Sequence, residues 1–262
     1  MPTVLLCPVK TALAIGLLGA AALPAESERY RQQLLADEAL KTTELRAQYA
    51  ARSFGPLWVA TEPVPVVGFI GDNYQRLHLK LLTVRPDPQQ PGRYLVTGKS
   101  KVRTTIMAFT GTFRVLHVRE SQQLPRLLDD APSPAVKAGL VLAEYELREP
   151  AGQPGAGVFR GVLHSRWYQD QAGRLRYDDL TSYADGFANN QFVGTWQSYK
   201  TGAVKRCNWG DYRIANSGDL DIGAGEFSPA EKYLANGWAV YQRACFNNDK
   251  EARQQELAAW WK

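Results

Sequence analysis

In Arg76-Leu77-His78-Leu79-Lys80-Leu81 apolar and charged side chains alternate at every step. A period of two places the leucines on one face of an extended chain and the charges on the other, the pattern of a half-buried strand. This phasing sets in at Val66, and a further strand opens at 94–97 after the turn-forming stretch 86–92. More strands are predicted over 101–109, 112–119, 139–148, 158–168, 174–182, 192–199 and 204–207. The connectors Asp170-Gln171-Ala172-Gly173 and Lys200-Thr201-Gly202 are short enough for hairpins. Successive strands joined by hairpins form a meander, and with about eight to ten of them closure of the sheet removes its exposed edges. The expected fold class is mainly β: a single antiparallel meander β-barrel with an N-terminal helix and one or two C-terminal helices.

The flanks read differently. Residues 1–25 have the grammar of a signal peptide, with Lys10 before the apolar stretch 11–23 and small residues around Ala20 and Ala25. That stretch is well short of the roughly 20 residues a membrane-spanning helix needs, so no transmembrane segment is expected. Residues 26–65 are expected to form an N-terminal helix and connector, the helix over 26–51 with a break near Lys41-Thr42-Thr43. The barrel domain then covers 66–227, and 228–262 is a C-terminal helical segment packed on it. Ser228, Pro229 and Glu231 suggest a capping box opening that segment. The longest interruption of the strand pattern, 121–137, holds Pro125, Pro132 and Pro134 and is the place to look for a lid.

Export places the mature chain in the periplasm or outside the cell, where disulfides persist. Loss of Cys7 with the signal leaves Cys207 and Cys245, expected to form a bridge worth about 3 to 4 kcal/mol if unstrained. Two buried free thiols are the other reading of the pair. The net charge of +5 falls to +4 without Lys10, too mild a balance to argue for nucleic acid. It is unevenly spread: 76–119 carries nine Lys or Arg against the single acid Asp87, and 170–231 carries nine acids against six bases. Lys and Arg alternating on a strand face is also the ordinary look of a solvated sheet.

Polar residues gather late in the chain. Asp178, Asp211 and Glu226 are candidates for a carboxylate pair of the kind that hydrolyses glycans, in which two groups stand about 5 to 10 Å apart. Trp196 and Trp209 offer flat apolar faces, and Asn190, Asp211 and Arg213 polar anchors, for a bound ligand. Asp219, Asp221 and Glu226 are weak candidates for cation ligands, since their spacing departs from the twelve-residue calcium loop. Many of these residues lie beside Gly, where Asp and Asn bond their own backbone in turns. His78, His117 and His164 all fall in predicted strands, and neither a zinc cluster nor a nucleophile elbow occurs. No cofactor is expected.

Two stretches go further. Gly68-Phe69-Ile70-Gly71-Asp72-Asn73-Tyr74-Gln75-Arg76 is one; the other runs from Asp185-Gly186-Phe187 through Asn190-Gln191-Phe192-Val193-Gly194-Thr195-Trp196 and Cys207-Asn208-Trp209-Gly210-Asp211-Tyr212-Arg213-Ile214 to Gly218-Asp219-Leu220-Asp221-Ile222-Gly223-Ala224-Gly225-Glu226-Phe227. Over roughly 66–241 the chain resembles a family of uncharacterised exported bacterial proteins, which brings no catalytic residue with it. Gly194-Thr195-Trp196 gives a looser likeness to lipocalin-like barrels, whose Gly-x-Trp stands on the first strand and not near the last. The resemblance implies a calycin-like architecture. The expected function is that of an exported non-enzymatic barrel holding a small-molecule, lipid or glycan ligand. A carboxylate-dependent glycan hydrolase and an envelope module using the basic face or Trp260-Trp261 are the alternatives.

Overall fold

The computed structural model describes residues 23–60, 65–127 and 131–262. The signal-peptide reading falls almost entirely on 1–22, and parts of the connector and of the expected lid on 61–64 and 128–130; these lie outside the described residues. Nine strands make one antiparallel sheet: β1 (Val66–Ile70), β2 (Gln75–Pro86), β3 (Arg93–Val102), β4 (Thr105–Glu120), β5 (Ala135–Arg148), β6 (Gly157–Asp170), β7 (Leu175–Tyr177), β8 (Asn189–Ser198) and β9 (Val204–Asp211). Its order is β5-β4-β3-β2-β1-β9-β8-β6-β7, and β5 also pairs with β6. Eight strands are thus hydrogen-bonded in a ring, with the short β7 outside it on the far half of β6.

The strand phasing survives in detail. Along β3, Tyr94, Val96, Gly98 and Ser100 are buried and alternate with more exposed residues. Several boundaries moved: the predicted strand 101–109 contains the turn Arg103-Thr104, Gly111 continues β4 through a predicted break, β5 begins at Ala135 and not at Gly139, and the predicted strand 174–182 is extended over Leu175–Tyr177 alone. No Cβ fits at Gly111, whose pro-Cβ direction meets the backbone of Glu146 and Leu147, so this glycine lets β4 and β5 approach and does not end a strand. On β5 the run Leu140-Val141-Leu142-Ala143 is fully buried on both faces, as expected where a sheet is covered inside and out.

Three hydrophobic clusters account for this. The largest fills the ring, with Trp58, Phe113, Tyr145, Phe159, Phe192 and Trp209 among its members. A second, outside β1, packs Val67 and Phe69 against Ile214, Leu220, Phe227 and Trp238. A third, outside β5, β6 and β8, packs Leu140, Leu142, Val162 and Val193 beneath α1 (Ala25–Leu35). Ser27 at the start of α1 donates to the Val193 carbonyl at 2.8 Å, and the neighbouring Glu26 carboxylate accepts from Arg206, Asn208 and Asn216.

The expected helix over 26–51 ends early, at Leu35. Leu40 belongs to the outer cluster whereas Leu45 and Tyr49 belong to the interior one, so a straight helix cannot bury all three. The chain instead crosses the rim, with Leu40 bridged to Ser121 and the Leu45 amide donating to the Val118 carbonyl. A short helix, α2 (Gly55–Val59), then enters the ring.

At the other terminus the expected capping box does not form. Residues Glu231–Asn236 make a 3-10 turn without a side-chain cap, followed by α3 (Ala239–Phe246) and α4 (Lys250–Leu257). Only α4 has a capping side chain, Asp249, which accepts from the Ala252 amide. Arg76 fastens this segment to β2. Its guanidinium lies 5.1 Å from the ring centroids of both Trp238 and Tyr241 and forms a two-pronged bond to Glu256.

The expected Cys207 to Cys245 bridge is absent, and both thiols are free. Cys207 points into the interior cluster, and Cys245 is an exposed residue of α3, in the layer outside the sheet. The sheet itself stands between them. Among the described residues no helix is long and apolar enough to cross a membrane.

Candidate functional site

Because consecutive strands run in opposite directions, the connections fall into two groups. The β1-β2, β3-β4, β5-β6 and β8-β9 turns meet at one end of the ring; α2 enters at the other.

The α2 end is closed. Trp58 is edge-on to Tyr94 and Phe113, with ring centroids 4.9 and 5.2 Å away, and its indole donates to the Ser165 hydroxyl at 2.9 Å. Ser165 donates to the Asn190 side-chain carbonyl at 2.5 Å. The Asn190 amide donates both to the Leu57 carbonyl and to Asp211 Oδ2, at 3.0 and 2.8 Å. Tyr177 donates to the same carboxyl oxygen at 2.9 Å. A chain of polar groups thus ties the plug to β6, β8, β9 and β7. Burial pushes the Asp211 carboxyl up to about 7, against the two donors, which favour its ionised form.

The opposite end is open, and a cavity of about 460 Å³ lies there. Its apolar wall includes Ile70, Val102, Met107, Phe159 and Trp196. Glu149, just past the end of β5, turns its carboxylate inward and is buried. Oε1 accepts from the Ser100 hydroxyl at 2.6 Å; Oε2 accepts from the Gly157 amide at 2.9 Å and the Trp196 indole at 3.0 Å. Three donors from three strands make a buried carboxylate tolerable and hold the Trp196 ring in place. Gly157 is required there, since a Cβ would sit 2.7 Å from Trp196 Cζ2 and still closer to another ring atom. Arg103 and Lys205 stand at the rim, the Lys205 ammonium 5.8 Å from the centroid of Trp196.

A larger groove, about 1140 Å³, runs outside the ring between α1, the 121–125 segment and the 181–188 turns. Leu124 and Pro125 line it, so part of the expected lid borders this groove. His164 accepts or donates through Nδ1 to the Tyr30 hydroxyl at 3.1 Å, and its burial, with Arg166 nearby, pushes its imidazole down to about 3. The ring therefore stays neutral at physiological pH and offers hydrogen bonds, not a proton shuttle. Asp178 also lines the groove, its carboxyl raised by burial.

The residues singled out from the sequence are dispersed. Trp196 lines the end cavity, whereas Trp209 is stacked on Phe192 at 4.5 Å inside the ring. Asn190 and Asp211 belong to the plug, and Arg213 holds the Gly223 and Gly225 carbonyls and Asp221 on the outside. The three carboxylates offered as a hydrolytic set do not share a cleft: Asp178 faces the groove, Asp211 the interior, and Glu226 lines neither cavity. The three offered for a cation are likewise apart in role. Asp219 is bonded to Lys232 and Tyr233 and Asp221 to Arg213, and no group of three or more metal-ligating side chains occurs among the described residues.

Glu149, Ser100, Met107 and Arg103 were not picked out. Ser100 had a signal: in Lys99-Ser100-Lys101 the serine takes the inward phase between two outward lysines, a small polar group aimed at the core. Glu149 had none, because its inward turn depends on Ser100 and Trp196 from distant strands. The chain matches no protein-family model, no curated protein and no solved structure.

Proposed function

We propose that this is an exported, non-enzymatic binding protein, a lipocalin-like barrel that takes a small ligand into the open end. The end cavity carries this reading. Its volume falls in the usual range of small-molecule sites, and it joins apolar walls to a few fixed polar groups, which is how such sites combine affinity with orientation. The filled middle of the ring limits the ligand to the mouth and argues against a through-channel. The groove beside α1 is a weaker candidate, since its buried imidazole is neutral and it lies outside the ring.

Filling the space tests the reading. Met107→Trp, which adds bulk to the cavity wall, is expected to lower affinity for an apolar fluorescent probe such as N-phenyl-1-naphthylamine by about tenfold or more. Unchanged probe binding in Met107→Trp, with the fold intact by circular dichroism, rejects the end cavity as the site.

A further inference from the structure

The end cavity has a neighbour. A cleft of about 440 Å³ lies between the outer face of β2 and β3 and the C-terminal segment, bordered by Arg76, His78, Lys101, Arg103 and Glu256. Gln75 and Arg103 line both spaces. Arg103 is therefore the wall the two share, and Gln75 is its fastening: Arg103 Nε donates to Gln75 Oε1 at 3.0 Å, while Gln75 Nε2 donates to the Asn236 carbonyl at 2.7 Å.

The charges at this junction are unequal in availability. Arg76 and Glu256 neutralise each other at hydrogen-bonding distance. His78 is held neutral by its burial, with Arg76 and Lys101 adding to the effect, which pushes it down to about 3. Trp260 lies 5.9 Å from the His78 ring and closes that side. Lys101 and Arg103 remain, and neither forms an ion pair among the described residues. Arg103 also occupies the first position of the β3-β4 turn at φ +55, a left-handed conformation that is unfavourable for a residue with a side chain and suits Gly there. An arginine at a position that suits glycine, its terminal nitrogens without a hydrogen bond among the described residues, is placed for use.

We infer that Arg103 and Lys101 form an anion subsite joined to the end cavity, so that the ligand is an amphipathic acid. Its apolar body lies against Met107, Phe159 and Trp196, and its carboxylate or phosphate meets Arg103 and Lys101. This rests on the end cavity being the binding site. Glu149 sits on the same cavity with its oxygens already taken by three donors, so the acid is directed to the Arg103 rim.

A matched series of probes separates the claims. Octyl phosphate, octanoate, octanol, octylamine and inorganic phosphate are titrated into the full protein by calorimetry. Octyl phosphate or octanoate is expected to bind about tenfold or more tighter than octanol, the worth of a charge-assisted hydrogen bond. Which of the two binds tighter tells phosphate from carboxylate. Arg103→Gly relaxes the turn, and its thermal stability should hold or rise; Lys101→Gln is a second probe. Each is expected to narrow the acid-to-alcohol ratio at least about fivefold. Equal binding of acid and alcohol, or an unchanged ratio in both variants, overturns the anion subsite and leaves the end cavity standing. Octylamine binding tighter than either acid assigns the polar end to Glu149 and also overturns it. Inorganic phosphate binding as tightly as octyl phosphate overturns the link between the two spaces. Failure of all the octyl compounds overturns the end cavity itself.

Discussion

The two ends of the ring each bury a carboxylate, and they treat it in opposite ways. At the α2 end Asp211 receives two neutral donors under a plug of aromatic rings, and its proton is retained up to about neutral pH. At the open end Glu149 receives three donors, one of them a backbone amide, beside a cavity. The closed end thus spends its polar groups on holding α2 in place, and the open end on fixing a Trp ring at the edge of empty space. The same sheet supplies both because its connections alternate between the ends. Short turns leave one end free, whereas the longer N-terminal passage is able to fold back into the other.

The largest expected effect comes from removing the plug. Trp58→Ala leaves a void among Tyr94, Phe113 and Phe54 and strips the Ser165 hydroxyl of its donor, which should cost about 3 to 5 kcal/mol in urea unfolding. Trp196→Ala removes a ring of the same size at the open end, where the cavity lets neighbours and water relax, so the cost should fall at the low end of that range or below. Equal losses in the two variants would erase the distinction between a filled end and an open one.

Titration gives the next test. The folded-state value of about 7 for Asp211 lies above the ordinary 3.8, so between these values the folded protein binds more protons than the unfolded chain. Stability from this group is complete below pH about 4 and is lost as pH rises to about 7, on the order of 4 kcal/mol in all. His78 and His164, both pushed down to about 3, act in the opposite sense and lose stability as pH falls from about 6.5. Asp211→Asn mimics the protonated acid and should remove the loss on the alkaline side while the acid-side loss stays. Denaturant midpoints measured from pH 4 to 8 check this; an Asp211→Asn variant with the wild-type slope above pH 5 would show that the buried carboxyl does not set it.

How much of this was open to sequence reasoning depends on whether a residue's partner is near in the chain. Strand phasing is local, so the meander and the hairpins at 170–173 and 200–202 are readable. Leu34, Leu35, Leu40 and Leu45 suggest one apolar stripe, and only the clusters that receive them decide otherwise, the first three packing outside the ring and Leu45 inside it. Trp196 and Trp209 are both inward tryptophans near the ends of the β8-β9 hairpin, with nothing in the sequence to tell the cavity-lining ring from the core one. Cys207 and Cys245 look like a pair in the chain, yet the wall between them is made of strands from across the molecule.

Midway between the ends the smallest effect tests how tightly the interior is sealed. Tyr145 is buried against Phe192 and Trp209, and its hydroxyl has no hydrogen-bond partner among the described residues. It lies over Gly161 and Gly194, where added side chains would collide with it; a Cβ on Gly161 would stand 2.7 Å from the hydroxyl. A sealed layer leaves that hydroxyl without water, at a cost of about 1 to 3 kcal/mol, part of which its packing recovers. Tyr145→Phe should therefore be neutral or stabilising by up to about 1 kcal/mol in urea unfolding. A loss of more than about 1 kcal/mol would mean that the phenol is hydrated or bonded in solution, and that water reaches the middle of the ring from the open end.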